Sequence, residues 1–427
     1  MARELPPLNA LRVLESATRH LNFTLALALL SAVLAGCGPA DAVTTDKLIV
    51  VDTHIDLPYR LNQKYENVAQ FTEHGDFDYT RARKGGLDAA FMSIFVPVEK
   101  QDPGIAKDFA DHLIDLIEST ASRNKDKFVI ARSSRDIVRA SESERVALAL
   151  GIENGAAIEN DLNNVRYFHN RGVRYITLAH GKSNLISDSS YDSNRRWGGL
   201  SKFGVEVVRE MNRIGVIVDV SHITDDALLD VLDVCETPVL ATHSSARTFT
   251  PGFERNLSDE LIRKIGENGG VIQVNFGSAF LTQEANEWYL RYYEDEAAYR
   301  AEHSLSQYEP VPEFANAYRA SNPPSFATLD DVLDHIDHIV ALVGVDHVGF
   351  GSDFDGVGDS LPAGLKSVAD YPSLIAGLRD RGYTEDEVHK IAGRNTIRVW
   401  AAVEQHAKIE KLLAAERTTR GHFGRHQ

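Results

Sequence analysis

Eight short apolar runs, each followed by a longer segment, constrain the fold of this chain more than any other feature. Most of the runs are rich in Val and Ile, and the segments between them show the apolar spacing of helices. The runs are residues 48–55, 87–96, 145–154, 173–180, 215–222, 237–244, 269–276 and 346–354. Eight strands that alternate with helices predict a (β/α)8 TIM barrel.

The segments between the runs carry recognisable helix ends. Gly215 closes an apolar-periodic stretch that starts near residue 203, and Ser258 precedes another that ends in glycines. The rhythm breaks at 280–327, which is too long for a simple loop and is rich in Tyr, Glu and Ala. We expect a helical excursion there, placed where it can cover one mouth of the barrel.

Composition and charge limit the classes of ligand that this chain is expected to bind. The chain has 427 residues, of which 43% are hydrophobic and 25% are charged, enough for one large α/β domain or two ordinary ones. The formal net charge is −17, and no cluster of Lys and Arg occurs. Nucleic acid is therefore excluded as a partner, and small molecules or peptides are expected instead.

The first 46 residues have the pattern of a targeting segment. The apolar stretch 23–36 is too short to span a bilayer and leads into "LAGC", which resembles the lipobox of bacterial lipoproteins. Residues 1–36 are thus predicted to be a signal peptide with a long polar start, Cys37 the lipidated residue and 37–46 a linker. A disordered leader is the alternative.

A lipid anchor on Cys37 has two further consequences. Cys235 is the only other cysteine, so no disulfide pair is left and stability has to come from the core or from metal. Gly38, rather than aspartate, follows the lipidated residue. We therefore expect a lipid-anchored protein of the bacterial cell envelope, at the periplasmic face of the outer membrane.

Ionisable residues stand at the ends of six of the eight predicted strands. The carboxyl ends of barrel strands meet at one mouth, where barrel enzymes keep their catalytic groups. Side chains that would meet there are His54, Asp56, Glu153, His180, His222, His243 and Asp353. Asp355 is an alternative to Asp353, because residues two apart on a strand share a face.

Imidazole nitrogens and carboxylate oxygens in this number can bind two divalent ions. His54 and Asp56 share a strand face and are expected to grip one ion, and Glu153 is placed to bridge both. His222 and His243 can complete the second ion. We predict two Zn²⁺ per chain and a barrel of the metal-dependent, amidohydrolase-like type.

Several motifs, in order, resemble membrane (renal) dipeptidase, peptidase family M19, over residues 47–405. They are "DTHIDLP", "GIENG", "RYITLAHGKSN", "GLSKFGVEVVREMNRIGVIVDVSH", "ATHSSAR", "ERNLSDE" and "GFGSDFDGV". The resemblance implies the metal ligands given above. It also implies that His180 contacts substrate, that Arg255 binds the substrate carboxylate and that Asp353 is the acid/base. Arg247, nearer to His243, is the alternative to Arg255.

The predicted activity is hydrolysis of dipeptides by a metal-bridging hydroxide, with Asp353 carrying the proton to the leaving amine and His180 stabilising the oxyanion. The resemblance implies tolerance of a D residue at the second position, and a homodimer. Two alternatives are another binuclear amidohydrolase, such as a lactonase or a cyclic-amide or β-lactam hydrolase, and a non-catalytic peptide-binding lipoprotein. His335 is expected to be structural, and residues 406–427 to form a polar tail.

Overall fold

The computed structural model describes residues 47–305, 309 and 311–423. The predicted signal peptide, the linker and Cys37 lie outside the described residues. The strands are β1 (Val50–Ile55), β2 (Leu87–Phe95), β3 (Phe128–Ile130), β4 (Val146–Glu153), β5 (Val173–Thr177), β6 (Ile217–Asp219), β7 (Leu240–Ala241), β8 (Val271–Val274) and β9 (Val348–Phe350).

The α-helices follow the strands in alternation. They are α1 (Leu57–Gln63), α2 (Tyr79–Gly85), α3 (Ala106–Arg123), α4 (Ser134–Ser141), α5 (Asn163–Arg171), α6 (Lys202–Ile214), α7 (Asp225–Val234), α8 (Asp259–Asn268), α9 (Ser278–Leu281), α10 (Gln283–His303), α11 (Pro312–Ser321), α12 (Leu329–Val343), α13 (Tyr371–Asp380), α14 (Glu385–His389) and α15 (Asn395–Phe423). A π-helical turn, Lys390–Arg394, joins the last two.

Eight of the strands close into a parallel barrel. They pair in the order β1, β2, β4, β5, β6, β7, β8 and β9, and β9 returns to β1 through Asp52 and Phe350. The predicted (β/α)8 barrel is confirmed, because each predicted run contains one barrel strand. β3 was not predicted. It is three residues long, only partly buried, and pairs outside the ring with the start of β4.

Side chains fill the barrel interior. Phe91, Tyr175 and Leu240 from the strands share one buried cluster with Trp400 from α15. The ring of Phe91 lies 5.3 Å from that of Tyr175 and 5.2 Å from that of Trp400. Because the strands are buried on both faces, their sequences are continuously apolar rather than alternating. A ligand therefore has to bind at an end of the barrel.

Side-chain caps fix the starts of three helices that follow barrel strands. The hydroxyls of Ser201, Thr224 and Ser258 accept hydrogen bonds from backbone N–H groups in the first turns of α6, α7 and α8. Gly215 and Gly269 end α6 and α8 in the left-handed conformation, at φ values of +90° and +83°. The helix start at Ser258 and the stop at Gly215 lie where the sequence predicts them.

The segment 280–327 between β8 and β9 contains the second half of α9, and all of α10 and α11. Its aromatic side chains form a separate small core, in which Trp288 stacks on Tyr292 at 5.5 Å and Tyr318 packs edge-on. Arg319 of α11 forms an ion pair with Asp359 in the loop after β9. The excursion is thus tied to the loop that follows the last barrel strand.

The C-terminal helix crosses the predicted boundary between residues 405 and 406 without a break. His406 is still buried, and its ring lies 3.4 Å from the carboxylate of Glu236. Within the described part of the chain, no helix combines the length and the apolar character needed to cross a membrane.

Candidate metal centre

The end of β1 presents His54 and Asp56 to the carboxyl mouth. The Nδ1 atom of His54 is hydrogen-bonded to the hydroxyl of Tyr175 at 2.9 Å, which fixes the ring and directs Nε2 toward the mouth. That Nε2 atom lies 3.5 Å from Asp56 and 3.4 Å from Glu153. Tyr175 fits because Gly151 lies beside it, where a Cβ would come within 2.0 Å of the ring.

Glu153 ends β4 at the centre of the cluster. Its Oε2 atom faces His54 and accepts a hydrogen bond from Ser93 at 2.9 Å. Its Oε1 atom faces the other side, 3.2 Å from Nε2 of His222 and 3.4 Å from Nε2 of His243. Burial disfavours the carboxylate, but the surrounding imidazoles, His54 foremost, outweigh this and hold the pKa of Glu153 well below its usual range.

His222 and His243 follow β6 and β7 and point at each other. Their Nε2 atoms are 2.7 Å apart. His222 has a left-handed backbone, with φ of +70°, which turns its side chain into the mouth. Burial lowers the pKa of both histidines well below the usual value, and the positive charge of Arg255 adds to the effect. Neutral imidazoles are the form that binds a metal.

His180 lies at the outer edge of this cluster. Its ring lies 4.6 Å from that of Phe95 and 4.3 Å from that of His222, and its Nε2 atom is 3.4 Å from Glu153. About a third of its side chain, 31%, remains exposed, against 6% for His222. His180 therefore borders both the cluster and the solvent, where a substrate has to enter.

Asp353 and Asp355 are separated although they are two residues apart. β9 ends at Phe350, and both aspartates have left-handed backbones, with φ of +63° and +64°, so strand alternation no longer applies. Asp353 faces the cluster and accepts a hydrogen bond from Asn275 at 2.7 Å. Asp355 faces away, 3.0 Å from Nε of Arg60. The expectation that both project from one strand face is wrong.

The surroundings of Asp353 favour a proton on it. Burial raises the pKa of its carboxyl to about 7, and the neighbouring carboxylates of Asp56 and Glu153 add to the effect. Gly356 allows the close packing, since a Cβ there would come within 2.2 Å of Asp56 and 2.4 Å of Asp353. A carboxyl group that titrates near neutral pH is suited to proton transfer.

Arg255 is a buried cation beside the cluster. It is 3% exposed and donates to the hydroxyl of Ser244 and the carbonyl of His243, both at 2.7 Å. No carboxylate pairs with it within the described residues, and its Nε atom has no hydrogen-bond partner there. Arg247, the alternative, forms an ion pair with Asp225. The unpaired cation is therefore Arg255.

The donor set fits divalent cations. The structure brings together three groups whose possible ligand atoms lie within 4.8 Å of one another: His54 with Glu153 and His243, Glu153 with His180 and His222, and His54 with Asp56 and Asp353. The buried Nε2 atom of His54 has no hydrogen-bond partner among the described residues. Imidazole and carboxylate ligands suit zinc, manganese or cobalt.

Some residues of the site were missed at the sequence level. Tyr175, Ser93 and Asn275 each hydrogen-bond a member of the cluster. Tyr191 stands over the mouth with its ring 5.9 Å from that of His222. Polar residues inside continuous apolar runs, such as Ser93, were the available signal, because a buried hydroxyl requires a partner.

A closed (β/α)8 barrel that carries imidazoles and carboxylates around one shared glutamate defines a metal-dependent hydrolase. The family profile described as membrane dipeptidase, peptidase family M19, matches residues 40–413. The chain therefore belongs to the membrane dipeptidase family: it is a dipeptidase of the metallopeptidase family M19. The resemblance seen in the motifs is confirmed.

Individual relatives agree with this assignment. Dipeptidase tcpJ of Claviceps purpurea is 33% identical over 350 residues, which are 79% of this chain and 72% of that protein. The uncharacterized dipeptidase C965.12 of Schizosaccharomyces pombe is 31% identical over 377 residues, 83% of this chain and 80% of its own.

Solved structures share the fold. The probable dipeptidase PvdM from Pseudomonas aeruginosa is 27% identical, with a TM-score of 0.73 over 85% of this chain and 97% of that one. A metallo peptidase from Rhodobacter sphaeroides, liganded with a phosphinate mimic of L-Ala-D-Ala, has a TM-score of 0.69 at 23% identity, over 84% of this chain and all of that one, 100%.

Proposed function

We propose that this dipeptidase uses two divalent ions, with zinc as the working metal, and accepts dipeptides with an L or a D residue at the C-terminal position. The observation that carries the metal proposal is the placement of Glu153. One of its oxygens faces His54, and the other faces His222 and His243. A carboxylate with imidazoles on both sides is suited to bridge two cations.

We assign His54 and Asp56 to one ion and His222 and His243 to the other, with Glu153 shared. When bound, such ions supply an activated water and a Lewis acid that polarises the scissile carbonyl. The charge pattern supports this. The carboxylates of Glu153 and Asp56 outweigh burial and raise the pKa of His54, so this part of the cluster favours a positive charge, which a bound cation would supply in place of the proton.

Arg255 is proposed to bind the free carboxylate of the substrate. A buried guanidinium without an ion-pair partner is costly, and a carboxylate ligand can satisfy it through two parallel hydrogen bonds. Ser244 and the backbone of His243 engage one N–H on each terminal nitrogen of Arg255, and Nε has no partner among the described residues. This clamp selects short substrates, because the carboxylate has to lie within one residue of the scissile bond.

Asp353 and His180 are proposed to handle the proton and the developing charge. Asn275 holds Oδ2 of Asp353, while Oδ1 lies beside Gly356, next to Asp56. Asp353 accepts a proton from the attacking water and delivers it to the leaving amine. His180, at the exposed edge, donates a hydrogen bond to the carbonyl oxygen as negative charge forms there.

Metal analysis combined with a substrate panel tests the proposal. The full chain, loaded with zinc, is expected to retain two ions after gel filtration, and His222→Ala and Glu153→Gln are expected to retain fewer. The panel contains L-Ala-L-Ala, L-Ala-D-Ala and their C-terminal amides. The D residue is included because the clamp binds a group that both stereoisomers carry, and because the Rhodobacter protein holds a mimic of L-Ala-D-Ala.

The results separate the parts of the proposal. One ion per chain at full activity would refute the metal pair, and turnover of the amides equal to that of the free acids would refute the clamp. Failure on L-Ala-D-Ala with turnover of L-Ala-L-Ala would restrict the substrate to L residues. Replacing zinc by manganese or cobalt checks the metal, since similar ligands accept all three.

We further propose that Cys37 carries the lipid and anchors the enzyme at the periplasmic face of a bacterial outer membrane. The support is the "LAGC" motif after a short apolar stretch. Metabolic labelling with a fatty acid should mark the wild type and not Cys37→Ser. An unlabelled wild-type chain would refute the anchor. A homodimer stays a prediction, which light scattering of the purified protein checks.

A further inference from the structure

A buried hydrogen-bond chain leads from His243 away from the substrate side. The Nδ1 atom of His243 is 2.9 Å from the hydroxyl of Thr242, and that hydroxyl donates to Oδ2 of Asp219 at 2.7 Å. All three side chains are buried, with exposures of 1% or less. These hydrogen bonds join the end of β7, which precedes His243, to the end of β6, where Asp219 lies.

Asp219 acts only as an acceptor in this arrangement. Its Oδ1 atom receives the backbone N–H groups of Ser221 at 3.0 Å and Thr242 at 2.9 Å. Its Oδ2 atom receives the hydroxyls of Thr177 at 2.5 Å and Thr242. These four donors occupy both oxygens of Asp219, and a proton on the carboxyl group would find no acceptor. The side chain therefore hydrogen-bonds as a carboxylate.

The single proton of the Thr242 hydroxyl therefore points at Asp219. Toward His243 the hydroxyl oxygen can only accept, so Nδ1 of His243 has to carry the proton of the neutral ring. The lone pair is then on Nε2. That atom faces the cluster, 2.7 Å from Nε2 of His222 and 3.4 Å from Glu153.

The neighbouring imidazole lacks such support. The Nδ1 atom of His222 is buried and has no hydrogen-bond partner among the described residues. Of the two histidines that we assign to one ion, only His243 has its tautomer and ring orientation set by the protein. His54 is fixed independently, by Tyr175.

We propose that Asp219 and Thr242 are positioning residues that hold His243 as an Nε2 metal ligand. The proposal rests on the assignment of His243 as a ligand. Partners of this kind typically change metal affinity by about 10- to 100-fold when removed. Thr177 offers a matched control, because its hydroxyl donates to the same oxygen of Asp219 but, among the described residues, forms no hydrogen bond with a histidine of the cluster.

The test compares Thr242→Val, Thr242→Ser and Thr177→Val in the full chain, with the zinc dissociation constant measured by chelator competition at fixed pH. Thr242→Val should weaken zinc binding at least about 10-fold, and Thr242→Ser should restore it to within about threefold. Thr177→Val should bind zinc within about threefold of wild type, because only a structural hydrogen bond is lost. The Co²⁺ absorption spectrum should change only in Thr242→Val.

Unchanged zinc affinity in Thr242→Val, or an equal loss in Thr177→Val, would overturn the proposal. His243→Ala separates it from the proposed function. If that variant loses zinc while Thr242→Val does not, the hydrogen-bond chain fails and the metal site stands. If His243→Ala keeps full zinc affinity, the ligand assignment itself fails.

A second measurement needs none of the threonine variants. In the zinc-loaded wild type labelled with ¹⁵N-histidine, the ring of His243 should carry its proton on Nδ1, with a resolved Nδ1–H correlation. His243→Ala assigns the signal by its loss. A deprotonated Nδ1 on His243 would overturn the proposal.

Discussion

Arg255→Met removes the proposed carboxylate clamp while keeping most of the side-chain volume. The guanidinium has five N–H donors, and two are engaged by Ser244 and the carbonyl of His243. The rest can form two parallel bonds to a substrate carboxylate. Hydrogen bonds to charged groups are worth about 1.5 to 3 kcal/mol each, so about 3 kcal/mol is a lower figure for the pair. At 1.4 kcal/mol per factor of ten, kcat/KM should fall about 150-fold.

The assay is steady-state hydrolysis of L-Ala-L-Ala and of its C-terminal amide by the wild type and the variant. The amide has no negative charge for Arg255 to bind, so its kcat/KM should change by less than about fivefold. Arg255→Lys should fall between wild type and Arg255→Met on the free acid, because lysine keeps the charge but lacks the planar fork. Arg247→Lys, which alters the pair with Asp225, serves as the matched control.

Metal content has to be measured alongside, because Arg255 also supports the backbone of His243. An equal loss of kcat/KM on the free acid and the amide, with the metal content unchanged, would show that Arg255 does not recognise the carboxylate. A loss that tracks metal content would show that its role is structural.

Three further predictions address other parts of the site and fold. Asp353→Asn should keep the metals and lose about 10²- to 10⁴-fold in kcat, the range for general acid–base groups; retained turnover would transfer the role to another group. Gly356→Ala should weaken metal binding, seen by chelator competition, because its Cβ would crowd the carboxylates of Asp56 and Asp353. His335 is buried and its pKa is lowered to about 4, mainly by burial. Because its unfolded pKa is about 6.5, the free energy of unfolding should fall by about 3 kcal/mol as the pH drops from 6.5 to 4. Urea unfolding checks this, and His335→Gln should flatten that part of the profile.

The fold was predictable because barrel strands are buried on both faces and therefore appear as continuous apolar runs. The cluster of possible metal ligands was predictable for a related reason, since a barrel brings strand ends together whatever their distance in sequence. β3 was not predictable, because three residues, of which only Phe128 is fully buried, leave no pattern. The end of β9 was also missed: the left-handed residues Asp353 and Asp355 follow it, and no strand periodicity describes them.

The contacts that support the site residues could not be predicted from the spacing of residues in the sequence. The pairing of Tyr175 with His54 depends on the absence of a side chain at Gly151, on a different strand. The choice between Arg247 and Arg255 depends on Asp225, which pairs with one and not the other. Such choices follow from three-dimensional neighbours, and a single sequence does not record which neighbours meet.

The filled barrel interior also determines how substrates enter the site and how products leave it. Phe91, Tyr175 and Trp400 fill the barrel interior, so products cannot leave through the barrel. The substrate and both product amino acids therefore have to pass through the same mouth of the barrel. If Arg255 binds the carboxylate as proposed, the C-terminal amino acid of the cleaved dipeptide leaves from the same residue that receives the next substrate. Free amino acids should therefore compete with dipeptides for entry, and turnover should slow as product accumulates.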